Sequence, residues 1–124
     1  MSDPINDAGM KVRREVLGDE HVDRTAAAAT AFTQPFQDFI TSYAWGGVWT
    51  RDGLDRHTRS SITLALLAAL GRENEIAIHV RAALRNGLTQ MEIAEVFIHT
   101  AVYAGVPAAN GAFAVAQRAL EKQG

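Results

Sequence analysis

The sequence predicts an all-α protein in which residues 1–124 form one domain, a bundle of about six helices. Three observations predict this fold class. Apolar residues recur at spacings of three and four, which is the period of a helix with one buried face. Glycine, proline and capping residues separate these stretches at positions where helices begin and end. No stretch alternates apolar and polar residues as a half-buried strand would.

The first half of the chain predicts three helices followed by a loop. The helices are predicted over 7–17, over an Ala-rich stretch at 24–31, and from Pro35 to about residue 44, since proline is tolerated in a first helical turn. Arg13 and Arg14 are expected to form the basic, solvated end of the first helix. Residues 45–53 contain two tryptophans and three glycines, a composition that predicts an irregular loop.

The second half carries stronger helix signals. Asp55 is a predicted N-cap, and Thr89 with Glu92 forms the pattern of a capping box. Gly87 is typical of a left-handed residue that follows a helix C-terminus. The four helices of this half are predicted over 56–70, 72–86, 90–104 and 107–121.

Composition excludes several classes of function. The net charge is −2, so no basic field is present to attract nucleic acid. The absence of cysteine rules out disulfides, thiolate nucleophiles and iron–sulfur clusters. The N-terminus lacks the apolar core of a signal peptide, and the longest apolar run, 64–70, is too short to span a bilayer. We therefore expect a cytoplasmic protein with no membrane or nucleic-acid partner, and self-association would enlarge its modest core.

The best candidates for acid–base chemistry lie on the helix predicted over 72–86. Glu75 and His79 are four residues apart and share a face, to which Arg72 also projects. A carboxylate beside an imidazole fixes its tautomer and raises its pKa, which produces a proton donor near neutral pH. Two alternatives stay open: an ordinary surface ion pair, and a metal site, for which two ligands are too few.

Two further groups are candidates for substrate binding. Trp45 and Trp49 would form apolar walls around a substrate whose carboxylate binds Arg51. The alternative is that both tryptophans belong to the core and the arginine is solvated. His99 lies at the edge of the apolar stripe of the helix over 90–104, and Tyr103 shares that edge. A purely structural role for this histidine is the alternative.

Four segments, taken in order, resemble the motifs of the gamma-carboxymuconolactone decarboxylase family. They are VRREVLGD at 12–19, YAWG and VWTR at 43–51, Glu75 with HVRAA at 79–83, and GVPAAN at 105–110. The resemblance covers nearly the whole chain. The wider alkylhydroperoxidase-like superfamily includes peroxidases with a Cys-x-x-Cys pair before a histidine; Arg72 and Glu75 stand at those positions here, so thiol peroxidase chemistry is excluded. Several decarboxylase relatives carry a cysteine where this chain has Ala104.

The resemblance implies a helical bundle that assembles into trimers or hexamers, with sites at or near subunit contacts. It implies decarboxylation of 4-carboxymuconolactone to 3-oxoadipate enol-lactone in protocatechuate degradation, the β-ketoadipate pathway, without a cofactor or a metal. In that reaction we expect His79 to donate the proton and Glu75 to orient it. Arg51, and less directly Arg72 or Arg59, would bind the retained carboxylate. The remaining substrate-binding candidates are Trp45, Trp49, His99 and Tyr103.

Two other functions remain open at this point. One is a different small-acid decarboxylase or lactone-processing enzyme on the same scaffold, since one fold hosts many functions. The other is a non-catalytic oligomeric binding protein of the superfamily, which would not need this set of Arg, Trp, His and Glu residues.

Overall fold

The computed structural model describes residues 3–122, and this part of the chain is helical, with seven α-helices, one π-helical segment and no strand. The elements are α1 (Pro4–Leu17), α2 (Asp19–Ala28), α3 (Gln34–Ile40), the π-helical segment Thr41–Trp49, α4 (Arg56–Leu70), α5 (Glu73–Arg85), α6 (Gln90–Ala104) and α7 (Val106–Glu121). The all-α prediction is confirmed. None of these helices is long and apolar enough to cross a membrane.

The chain divides into two compact units, Met1–Leu54 and Asp55–Gly124, which are described separately below. In the second unit α4, α5, α6 and α7 pack around one apolar core. Its fully buried members include Leu64, Ile76, Val80 and Phe97, with at least one from each of α4, α5 and α6. The ring of Phe97 meets that of Phe113 on α7 edge-on, with centroids 5.5 Å apart. The apolar faces predicted from the helical spacing therefore converge as expected.

Local capping signals place the helix ends of this unit close to the prediction. The Asp55 carboxylate accepts the backbone N–H of Thr58 at 2.7 Å. Thr89 and Glu92 form both hydrogen bonds of the capping box, at 3.0 and 2.9 Å. Gly71 ends α4 in the left-handed conformation, with φ at 71°. These bonds satisfy backbone groups that have no partner within the helix, which is why short sequence signals suffice to locate them.

In the first unit, α1 packs directly against the π-helical segment, and two glycines allow the close approach. A Cβ atom added at Gly9 would collide with the backbone of Thr41 and of Gly46. A Cβ atom added at Gly46 would collide with the backbone oxygen and side chain of Ile5. The two backbones therefore touch along a seam where only glycine fits.

Two predictions about the elements of this half of the chain are wrong, and so is the expectation that Arg13 is solvated, because it is buried. The predicted irregular loop at 45–53 is helical as far as Trp49, because its first glycine serves helix packing and does not break the helix. The second helix begins at Asp19 and not at residue 24. Asp19 and Glu20 lie in its first turn, where carboxylates interact favourably with the helix dipole.

Candidate active site

His79 lies in the middle of α5, at the border of the core of the second unit. The flanking residues Ile76 and Val80 are fully buried, and the histidine itself is half-buried. Its Nδ1 atom is enclosed by protein. The imidazole is therefore held on one side by the fold, which suits a group that must present a proton in a fixed direction.

Glu75 and Arg72 occupy the exposed N-terminal end of the same helix. Both are exposed, and Arg72 is the residue that precedes the first turn of α5. Within residues 3–122, no hydrogen bond or ion pair joins the Glu75 carboxylate to His79. Glu75 and Glu73 instead place negative charge in the first turn of α5, where it interacts favourably with the positive end of the helix dipole. The two residues share a face, as the spacing predicted, without direct contact in the single chain.

Trp45 and Trp49 lie one turn apart in the π-helical segment of the first unit. Their rings are 5.0 Å apart between centroids and tilted by 33°. Trp45 is buried and Trp49 is half-buried, so the indoles form a continuous apolar surface that is partly accessible. Arg51 follows the segment; its backbone N–H donates to the Val48 carbonyl at 3.0 Å, and the residue is exposed. Nine-residue π-helical stretches are rare, and π-turns occur frequently at functional sites.

His99 and Tyr103 form a ring pair on the outer face of α6, with centroids 5.2 Å apart. Both are exposed, and 81% of Tyr103 is accessible to solvent. The neighbouring Ile98 and Val102 are also exposed. This aromatic and apolar surface has no cover within the described part of the single chain.

Sequence reasoning missed a buried polar contact that fixes the end of α5. The side-chain amide of Asn86 donates to the Ser60 hydroxyl at 2.8 Å, and Ser60 is fully buried. The bond ties the C-terminal cap of α5 to α4. Asn86 follows His79 by seven residues, or two helical turns, and therefore lies on the same face of the helix. This spacing was the sequence signal that could have pointed to Asn86.

His57 and Glu92 form a second contact that the sequence did not predict. The Nε2 atom of His57 lies 3.0 Å from a Glu92 carboxylate oxygen. The backbone N–H of Thr89, and then the His57 side chain, hold the pKa of Glu92 below its ordinary value. The capping box of α6 is therefore linked to the first turn of α4.

Two grooves of the second unit lie away from the predicted residues. A groove of about 520 Å³ between α6 and α7 is lined mainly by apolar side chains, including Ile93, Phe97 and Leu120, and offers a dicarboxylate no cation. A smaller groove of about 220 Å³ on α5 and α7 is lined by Arg81, Arg118 and Lys122 together with Glu73. Neither groove contains His79 or the His99–Tyr103 pair.

The side chains of residues 3–122 include no group of three or more His, Asp or Glu residues arranged to hold a metal ion. His57 lies beside the Glu92 carboxylate, His99 beside the Tyr103 ring, and His79 at the border of the core. What the arrangement offers is one partly enclosed imidazole on α5, a tryptophan pair followed by an arginine, and an exposed histidine–tyrosine pair.

Comparison with known proteins places these residues in a family. Residues 34–118 match the sequence profile of the "Carboxymuconolactone decarboxylase family". The chain is 48% identical to a 4-carboxymuconolactone decarboxylase of Acinetobacter baylyi, over 94% of this chain and 87% of that protein. It is 46% identical to a nitrosuccinic acid decarboxylase of Metarhizium robertsii, over 92% of this chain and 80% of that protein. A 4-carboxymuconolactone decarboxylase of Pseudomonas putida is 55% identical over 40 residues, 32% of this chain and 83% of that sequence.

All eight residues predicted for the site lie within the matched range 34–118. They are Trp45, Trp49, Arg51, Arg72, Glu75, His79, His99 and Tyr103. The profile covers more than half of the chain, the two longest matches extend beyond it, and the helical architecture is that of the alkylhydroperoxidase-like fold. The chain belongs to the carboxymuconolactone decarboxylase family.

Proposed function

We propose that this chain is a carboxy-lyase that converts 4-carboxymuconolactone to 3-oxoadipate enol-lactone and CO2. The observation that carries the proposal is the 48% identity, over 94% of the chain, to a protein of that activity. The half-buried imidazole of His79 and the tryptophan pair followed by Arg51 supply residue types that the reaction requires.

The substrate explains why the reaction needs no cofactor. The departing carboxylate is on a carbon that is conjugated, through a carbon–carbon double bond, to the lactone carbonyl. The electron pair released with CO2 therefore flows to the carbonyl oxygen and gives an oxyfuran-like dienolate. The electron sink that a cofactor supplies in other decarboxylases is already part of the substrate. Three tasks remain for the protein: binding the retained acetate group, stabilising the new oxyanion, and delivering one proton to carbon.

His79 is the proposed proton donor. The Nδ1 atom is enclosed by protein, and we propose that the other ring nitrogen, Nε2, delivers the proton. Glu75, one turn earlier on the same face, is the proposed positioning residue for this ring, and His79 is the residue that would touch the substrate.

Arg51 is the proposed anchor for the retained carboxylate, with Arg72 as a second cation. A guanidinium matches a carboxylate through two parallel hydrogen bonds, which gives direction as well as affinity. The indole surface of Trp45 and Trp49 would exclude water from the departing carboxylate, whose charge is lost as CO2 leaves. His99, with Tyr103 beside it, is the second candidate for contact with the developing oxyanion.

The exposed surface of α6 supports the prediction of a homo-oligomer. Ile98, Val102 and Tyr103 of α6 are each more than half exposed in the single chain, as is Val106 at the start of α7. Large apolar side chains grouped on one surface are typical of subunit contacts. We therefore propose that a neighbouring copy covers this surface in a trimer or hexamer. We also propose that the enzyme acts in the cytoplasm, a location that suits the metabolic activity of its relative.

A second substrate deserves a direct test because one relative of nearly equal identity is a nitrosuccinic acid decarboxylase. Nitrosuccinate and the lactone share one structural feature. In both, the carbon that loses CO2 carries a CH2–COO⁻ group and an electron-accepting group. The nitro group takes the electron pair in one case and the conjugated lactone in the other. The same anchor and the same proton donor would serve both reactions.

The test is a comparison of kcat/KM on chemically prepared 4-carboxymuconolactone and on nitrosuccinate, with CO2 release as the readout. We expect the lactone to be preferred by at least about tenfold, a difference of ~1.4 kcal/mol in transition-state binding. A preference for nitrosuccinate would reassign the substrate within the decarboxylase class. No CO2 from either acid would contradict the proposed reaction type and favour a non-catalytic binding protein.

A further inference from the structure

A buried arginine in the first unit has no carboxylate partner. Arg13, on the inner face of α1, is 6% exposed. It donates to the Thr41 hydroxyl at 3.1 Å and to the Gln37 side-chain oxygen at 2.9 Å, both neutral acceptors. Within residues 3–122, no carboxylate oxygen lies within 4.0 Å of its guanidinium. A guanidinium has five N–H groups, and its Nε–H is buried without an acceptor.

The neighbouring arginine shows the opposite arrangement. Arg14 points outward and forms ion pairs with Asp19 at 3.1 Å and Asp23 at 2.9 Å. The carboxylates of this unit thus neutralise the exposed guanidinium and leave the buried one with neutral partners. Because a buried cation without a counter-charge is costly, the arrangement around Arg13 is incomplete as the described residues form it. Burial also lowers the pKa of Arg13, with no carboxylate to offset the effect.

Arg13 lines a small, partly open cavity formed by α1, α2, α3 and the first residue of the π-helical segment. Its volume is about 60 Å³, roughly four times the ~15 Å³ that a single water requires on this measure. Besides Arg13, the polar groups on its wall are Thr25, Gln34, Gln37, Asp38 and Thr41. The Thr25 and Thr41 hydroxyls already donate their single hydrogens to the His21 and Gln37 carbonyls, at 3.1 and 2.7 Å. The side-chain amides of Gln34 and Gln37 are therefore the neutral groups that can donate a hydrogen bond to an anion.

Asp38 is the one acidic residue on this wall and the competing source of counter-charge. It is exposed, and its carboxylate accepts a hydrogen bond from the Gln34 side-chain amide at 2.9 Å. Its oxygens lie outside ion-pair distance of Arg13. Since water screens an exposed charge more strongly than a buried one, Asp38 offsets little of the Arg13 charge.

We propose that the cavity beside Arg13 binds a small monovalent anion, no larger than formate or nitrate, which supplies the missing counter-charge. The small volume and the single cation favour a small monovalent anion over a larger organic acid such as gluconate or a divalent sulfate. The site would stabilise the first unit, and it is independent of the decarboxylation proposed above.

The test is thermal unfolding of the wild-type protein in sodium formate, with sodium gluconate holding the ionic strength constant. Binding to the folded state raises Tm in a saturable way, and we expect a rise of about 2 °C or more. Arg13→Met should remove the response to formate, whereas Arg14→Met, the adjacent surface variant, should retain it. A wild-type Tm that does not respond to formate, or a response that survives in Arg13→Met, would overturn the proposal.

Asp38→Asn keeps the proposal testable if Arg13→Met does not fold. Removing this negative charge from the cavity wall should leave Tm in gluconate unchanged or higher, and should strengthen formate binding. If Asp38 is the true counter-charge of Arg13, the variant will instead have a lower Tm in gluconate, and formate will stabilise only the variant. That result would rule out an anion site in the natural protein.

Discussion

At the scale of single residues, the account depends most on the imidazole of His79. The sequence predicted its face and its neighbour Glu75 from four-residue spacing, and the structure places both on α5 as expected. The half-burial of the ring and the enclosure of Nδ1 did not follow from spacing, because they depend on how other helices pack against α5.

His79→Gln should lower kcat/KM on the lactone by about 10²–10⁴-fold, because glutamine cannot transfer a proton. The protein should stay folded, since glutamine fills a similar volume. Initial rates of CO2 release measure the loss, and His21→Gln, a histidine outside the proposed site, is the matched control. A variant with wild-type kcat/KM would remove His79 from the reaction.

Arg51→Ala should chiefly raise KM, because it removes a contact that the substrate makes both before and during the reaction. We expect an increase of about tenfold or more, in line with ~1.5–3 kcal/mol for a hydrogen bond to a charged group. Arg51→Lys should recover part of the affinity, because it keeps the charge and loses the paired geometry. If KM is unchanged in Arg51→Ala, another arginine binds the carboxylate.

Arg13 shows the limit of sequence reasoning at this scale. It was expected to be solvated beside Arg14, but it is buried, whereas Arg14 is only half-buried. The signal was present: Gly9, Val12 and Val16, which are buried, place Arg13 on the same inner face of α1. Arg13 was predicted to be solvated because it is charged, although its position in the helix placed it on the buried face.

At the scale of elements, local signals predicted α4 to α7 within a few residues, whereas the π-helical segment Thr41–Trp49 was predicted as a loop. Capping bonds involve residues three apart, so a short window of sequence contains them. The role of Gly46 depends on Ile5, which lies forty-one residues earlier on another helix. Such a long-range contact leaves no local pattern.

Gly46→Ala should destabilise the protein by about 1–3 kcal/mol, because the added methyl group would force α1 and the π-helical segment apart. Gly111→Ala is the matched control, because no atom lies within 4 Å of a Cβ added there within α7. Alanine in that helix should be neutral or stabilising by about 0.5–1 kcal/mol. Urea unfolding measures both. Equal effects of the two substitutions on the free energy of unfolding would contradict the close contact between α1 and the π-helical segment.

Glu92 should make stability depend on pH on the acid side. Its pKa in the folded protein is below the ordinary 4.5, so its contribution is present above that value and is lost as pH falls through the folded pKa. Glu92→Gln should therefore lower Tm at pH 7, and its difference in Tm from wild type should shrink as pH falls below 4.5. Glu95→Gln, an exposed change on the same helix, should follow the wild-type curve. Parallel curves for wild type and Glu92→Gln would contradict the role of this carboxylate.

At the scale of the whole molecule, the family and helical class were predictable because four motifs occur in order along the chain. The single-domain organisation and the subunit number remain predictions, since both depend on contacts beyond those within each unit. Ile98, Val102 and Tyr103 of α6 are exposed in the single chain, and only a contact with another copy would show what covers them.

If a second copy covers this surface, Val102→Glu should shift the protein toward smaller species and reduce activity. A charge buried in an apolar contact without a partner is strongly unfavourable. Light scattering coupled to size-exclusion chromatography measures the mass of wild type and variant, and Glu95→Gln serves again as the control. A wild-type protein that is monomeric at micromolar concentration would contradict the predicted assembly.

This chain is proposed to release CO2 from the lactone with only its own side chains. The most direct measurement is the yield of CO2 and of enol-lactone from 4-carboxymuconolactone, with enzyme dialysed against EDTA and assayed without added cofactor. The account predicts one CO2 for each enol-lactone formed, at a rate that dialysis leaves unchanged. Consumption of the lactone without CO2, or activity that returns only when a metal or cofactor is added, would contradict it.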